Sequence, residues 1–121
     1  MHPSGISQEL ALATLESLGE EGLKKHIHKV STFYRERRDH FCKLASKHLD
    51  GLAEWSAPEA GMFVWFKLNG IEDSLDLIQK EAVDAKVLLV PGKAFVDSGT
   101  SPYVRASFST GTGIYLLIDR R

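Results

Sequence analysis

Arg105 is the residue of this 121-residue chain whose type and setting point most directly to chemistry. It stands in Pro102-Tyr103-Val104-Arg105-Ala106-Ser107-Phe108-Ser109. Read as a strand, that stretch sets Val104, Ala106 and Phe108 on one face and Tyr103, Arg105 and Ser107 on the other. The first is a core face and the second a site face. A guanidinium is a planar fork that donates two parallel charge-assisted hydrogen bonds to a carboxylate, and it keeps its charge when partly buried. On strand pattern alone the alternative is a solvated or salt-bridged arginine, because surface charge is the rule.

The other reactive residue types carry less. His26 and His28 are two apart, so a helix points them in different directions, and neither has a partner at metal spacing; no metal site is expected. Cys42 is the single cysteine, cannot close an internal disulfide, fits a reducing compartment and reads as a small half-buried hydrophobe rather than a nucleophile. Arg35, Arg37 and Arg38 are interleaved with Glu36 and Asp39, the pattern of a solvated helix face rather than a phosphate patch. Lys93 follows Gly92 but lacks the upstream glycine and following Ser or Thr of a phosphate loop. No acid/base dyad or nucleophile elbow is present, so no catalytic residue is expected. A net charge of -1 offers no field to attract nucleic acid or an anionic membrane. No apolar run approaches the ~20 residues of a membrane span, and the N-terminus lacks the order of a signal peptide.

The elements that position these residues follow from periodicity. The length suits one domain. Ser7 as N-cap and Gly19 as terminator predict a helix over 7–18, whose Leu10, Ala11, Leu12, Ala13, Leu15 and Leu18 are apolar almost all round and call for a cover this chain does not supply. A long helix is predicted over 20–49, with Leu23, Ile27, Val30, Tyr34, Phe41 and Leu44 as its core stripe. After Gly51 the texture turns to strands: a short one within 52–55, then 62–68, 87–90 and 103–108, with a helix over 74–85 capped by Asp73. Val87-Leu88-Leu89-Val90 reads as a strand covered on both faces. Gly61, just before a strand, provides either a positive φ or a close backbone approach. The order describes a small α/β layer, helices covering a sheet of about four strands.

Three motifs in sequence, Pro58-x-x-Gly61-x-Phe63-x-Trp65, Val87-Leu88-Leu89-Val90-Pro91-Gly92-x-x-Phe95 and Arg105-Ala106-Ser107-Phe108, resemble the C-terminal small domain of class I/II aminotransferases of PLP fold type I. His2-Pro3-Ser4-Gly5-Ile6-Ser7-Gln8 is similar to the family segment that follows the cofactor lysine and leads into a large-domain helix near the dimer interface. Gly51-Leu52-Ala53-Glu54-Trp55, Ala60-Gly61-Met62-Phe63 and Ser101-Pro102-Tyr103 look most like the kynurenine/alpha-aminoadipate aminotransferase group.

The resemblance implies an α/β (α+β small-domain) fold divided as 1–19, a remnant of the large domain and interface helix; 20–110, the small domain; and 111–121, an aberrant tail where the family continues into a helix. It implies three substrate-binding residues: Arg105 holding the substrate α-carboxylate, Gly61 in the turn that lets the domain close, and Phe95 in a loop near the site. Pro91 and Gly92 shape that loop. The implied cofactor is pyridoxal 5'-phosphate in a full-length parent, with amino-acid and 2-oxo-acid substrates, a homodimeric parent and a cytoplasmic or mitochondrial location. None of the nine lysines stands in the family's cofactor-lysine context, so the chain is expected to be an inactive fragment, with no cofactor-binding residue of its own. The alternatives are a non-enzymatic α/β module binding an amino acid or a partner protein, and the aminotransferase-like domain of a transcription regulator.

Overall fold

The computed structural model describes residues 2–97 and 99–109; the tail expected over 111–121 lies outside them. Two compact units divide the chain, one up to Phe33 and one from Tyr34 onward. Helical structure, α1, covers Gly5–His48 and breaks at Gly19, whose φ of 59° and ψ of -178° are not helical. A left-handed φ is costly for any residue with a Cβ, which is why the predicted division falls at this glycine.

In the first unit the helix is capped by Ser4, not by Ser7 as expected. The Ser7 N–H donates to Ser4 Oγ at 3.2 Å and the Gln8 N–H to the Ser4 carbonyl at 3.1 Å. This is the N-cap arrangement in which a hydroxyl satisfies the third amide of the helix, so Gly5, read as loop, is helical. Ile6, Leu10, Leu12, Leu15 and Leu18 are all exposed, in keeping with a helix whose apolar surface is uncovered. No helix among the described residues is long and apolar enough to cross a membrane.

The second unit is an α/β layer. Among the described residues its four strands are β1 (Ala53–Glu54), β2 (Phe63–Leu68), β3 (Val90–Pro91) and β4 (Tyr103–Ser107), all antiparallel in the order β1-β2-β4-β3. The inner face presents Val64 and Phe66 from β2 with Val104 and Ala106 from β4, each no more than 3% exposed, and Phe108 beyond them. Phe41 and Ala45 of α1 cover this face, with the Phe41 ring 5.9 Å from Phe66 and 6.3 Å from Phe108. Complete burial of one such side chain contributes about 1.5–3 kcal/mol. The apolar stripe of α1 is core only from Tyr34 on; Ile27 and Val30, expected in the core, are exposed. A sheet of this size is roughly 20 Å across, the length of about 13 helical residues.

The helix predicted over 74–85 is two short ones, α2 (Leu75–Gln79) and α3 (Glu81–Asp84), separated at Lys80, whose φ and ψ of -111° and -76° bend the chain. The N-cap of α2 is Ser74 rather than the expected Asp73, which stands one residue earlier and accepts from the Leu75 N–H at 3.2 Å. Fully buried Ser74 donates from Oγ to the Tyr103 carbonyl at 2.7 Å, tying α2 to β4. The strand expected over 87–90 is reduced to its last residue plus Pro91. Leu88 is 94% exposed, so the run is not covered on both faces. Lys86 at φ 58° and the Val87 N–H bonded to the Ala82 carbonyl show the chain still turning out of α3 there.

Candidate functional site

Antiparallel register decides which side chains meet on the outer face of the sheet. Trp65 pairs with Arg105, Phe63 with Ser107 and Lys67 with Tyr103. Because Val64 and Phe66 point inward, the period of two turns Phe63, Trp65 and Lys67 outward beside Tyr103, Arg105 and Ser107. The site face expected of β4 is therefore continued by aromatic residues of β2.

Phe95 reaches the same place from a different element, a 3-10 turn over Gly92–Phe95. That turn lies close against β4. A Cβ on Gly92 would fall 2.7 Å from the Tyr103 carbonyl oxygen and would collide with Ser101 Oγ, so only glycine allows the approach. Gly61 acts at one remove and for another reason. Its φ is 80° with nothing within 4 Å of a Cβ, so backbone angle rather than crowding calls for glycine where the chain turns toward β2.

The guanidinium of Arg105 lies between two rings. Its Cζ is 4.2 Å from the centroid of Phe63 and 4.6 Å from that of Phe95. Trp65 meets Phe95 edge-on at 4.9 Å and Tyr103 edge-on at 6.5 Å. The Arg105 side chain forms no ion pair or hydrogen bond with a described residue, and its Nε is buried without a partner. A salt-bridged or freely solvated arginine has neither property. The rings strip water from the faces of the guanidinium, and in that less polar setting a carboxylate at its in-plane edge would be bound more strongly than in bulk solvent. The arrangement suits an anion with two oxygens in one plane.

A cleft of about 550 Å³ opens on the same face over Phe63, Trp65 and Tyr103, walled also by Trp55, Pro58 and Lys67. Lys67 Nζ lies 3.5 Å from Glu54 across β1 and β2. Elsewhere, the structure corrects one expectation: Arg37 and Arg38 are not part of a solvated face. Both are half-buried, Arg37 donating to the Ser109 carbonyl at 3.3 Å and Arg38 to the Pro58 carbonyl at 3.2 Å. They hold α1 to the chain just after β4 and to the loop between β1 and β2. Cys42 packs beside the core, and burial pushes its thiol pKa up, Arg38 opposing and Asp39 reinforcing the shift. Among the described residues no cluster of His, Cys, Asp or Glu is placed to hold a metal.

Of the three sites expected from sequence, Arg105 and Phe95 meet directly. Phe63 and Trp65 were missed as site residues. Their alternation on β2 was legible, but only the pairing register shows that they flank Arg105.

No family model matches the chain. It is 45% identical over 114 residues to the kynurenine/alpha-aminoadipate aminotransferase, mitochondrial, of Mus musculus, a match covering 93% of this chain and 27% of the relative. In structure it is similar to the alpha-aminoadipate aminotransferase LysN of Thermus thermophilus, solved with N-(5'-phosphopyridoxyl)-L-leucine, at a TM-score of 0.73 and 26% identity over 85% of this chain and 27% of the other. It is similar also to a Pyrococcus horikoshii kynurenine aminotransferase, at a TM-score of 0.68 and 26% identity over 93% of this chain and 32% of the other. The chain thus spans about a quarter of the length of the curated relatives it matches. Its homologues are kynurenine/alpha-aminoadipate aminotransferases, and its structural neighbours are PLP fold-type I aminotransferases.

Proposed function

We propose, from homology to kynurenine/alpha-aminoadipate aminotransferases, that this chain supplies the substrate-carboxylate side of the active site of a PLP-dependent aminotransferase. The reaction is amino-group transfer between a kynurenine- or 2-aminoadipate-like amino acid and a 2-oxo acid. Arg105 holds the α-carboxylate bidentately, which fixes the orientation of the reacting amino acid. Phe95 walls the site, and Gly61 supplies the turn at which this domain adjusts to substrate. The observation that carries this reading is an arginine stacked between two rings with a buried Nε that has no partner.

PLP supplies the electron sink of the reaction in the parent family. In this reading the described residues serve the substrate's carboxylate, and attachment of the cofactor falls to other parts of the parent enzyme. Lys24, Lys67 and Lys80 pair with Glu20, Glu54 and Asp76, and Lys93 donates to the Gly99 carbonyl. With no lysine in the family's cofactor context, this chain alone neither attaches PLP nor transaminates. Residues 1–19 correspond in this reading to large-domain structure and 20–110 to the small domain of a homodimeric parent, mitochondrial or cytoplasmic.

The test is a chimera in which the 114 matched residues replace their counterparts in the mouse relative. The chimera should transaminate L-2-aminoadipate, and Arg105→Lys within it should lower kcat/KM about 10- to 100-fold at unchanged PLP content. That follows from losing a charged hydrogen-bond fork of about 1.5–3 kcal/mol. An Arg105→Lys chimera within twofold of its parent overturns the reading.

A further inference from the structure

Phe63 lies outside the residues that the family resemblance marks as substrate-binding, yet its ring makes the shorter of the two contacts with the guanidinium. Register accounts for its place. Phe63 pairs with Ser107, two residues along β4 from Arg105, and so is the diagonal neighbour of Arg105 on the outer face. Phe95 arrives from the 3-10 turn, and Trp65, directly opposite Arg105, braces Phe95 edge-on at 4.9 Å.

We propose that Phe63 and Phe95 form a two-ring clamp that positions Arg105 for a carboxylate, with Trp65 acting through Phe95. The proposal rests on the reading of Arg105 as a carboxylate site. A long, flexible arginine side chain loses rotamer entropy on being fixed. In most proteins a salt bridge or a carbonyl fixes it, but such a partner would compete with the ligand for the same N–H donors. Aromatic faces avoid that competition. Each ring attracts the cation through its π face and occupies no in-plane donor, so the plane is fixed while the in-plane donors are left unpaired. Phe63, Trp65 and Phe95 are therefore positioning residues, and Arg105 is the group that touches substrate.

The test uses the 15N-labelled 121-residue chain, following the Arg105 side-chain Nε–H resonance, with acetate as the carboxylate probe against chloride at matched ionic strength. In the wild-type chain the resonance should be displaced by ring currents, its Nε order parameter should be high, and acetate should shift it saturably. Phe63→Leu and Phe95→Leu should each remove part of the ring-current displacement, lower the order parameter toward the flexible range below about 0.6, and weaken acetate about two- to fivefold. Phe63→Tyr, which keeps the ring, should restore all three. Backbone amide dispersion checks that the variants fold, and both leucine substitutions are on exposed positions. An ordered, ring-shifted Arg105 that does not respond to acetate overturns the carboxylate reading, and this inference with it. A response to acetate with order, displacement and affinity unchanged in both leucine variants overturns the clamp while leaving Arg105 as the carboxylate site.

Discussion

Replacing Arg105 by methionine separates a binding arginine from a structural one. In the wild-type chain the buried Nε without a partner destabilises the fold by about 1–3 kcal/mol, the penalty of a desolvated donor. The stacks on Phe63 and Phe95 offset this by about 0.5–1 kcal/mol each. Methionine removes the unsatisfied donor and retains sulfur–aromatic contact of about 0.3–1.5 kcal/mol with the same rings. The sum runs from a slight loss to a net gain, so Arg105→Met should cost no more than about 1 kcal/mol of stability, a fall of less than about 1 M in urea midpoint. Val104→Ala, one residue away and 1% exposed, is the contrast. Two buried methyl-sized groups and the cavity they leave amount to about 2 kcal/mol. Fluorescence of Trp55 and Trp65, both in the sheet-bearing unit, reports the transition. A loss of more than about 2 kcal/mol for Arg105→Met would show that the guanidinium holds the fold together, contradicting its assignment to a ligand.

Three further outcomes follow from the same geometry. Gly92→Ala should destabilise by about 1–3 kcal/mol in urea, because the new methyl meets the Tyr103 backbone carbonyl at 2.7 Å and backbone has little room to yield. Gly61→Ala should be milder, about 1–2 kcal/mol, since only the left-handed φ of 80° opposes it, and D-alanine introduced there by chemical synthesis should restore the loss. Burial raises the Cys42 pKa in the folded chain, so the fold retains the thiol proton to higher pH than the unfolded chain does. Its contribution is intact below the unfolded thiol pKa and is lost as pH rises through the folded one; stability should decline over that alkaline interval, and a Cys42→Ala variant should not show that part of the decline.

Much of this was legible because periodicity and glycine chemistry act locally. The outer face of β4, the break at Gly19 and the strand containing Val64 and Phe66 were read from spacing and residue type alone. What escaped depends on contacts between residues distant in sequence. Leu88 lies in an apolar run like that of a buried strand, but the run leaves α3 through a left-handed Lys86 and joins the sheet only at Val90. Arg37 and Arg38 look like a wet helix face until the carbonyls of Ser109 and Pro58 are brought to them. Phe63 and Trp65 belong to the site through a register that no local pattern encodes.

The most direct measurement on the central claim is a crystal structure of the chimera with bound L-2-aminoadipate. The account places both oxygens of the α-carboxylate about 2.7–2.9 Å from N–H donors of Arg105, with Phe63 and Phe95 still on either side of the guanidinium. An α-carboxylate held by other groups, with Arg105 turned away or paired to protein, would contradict it.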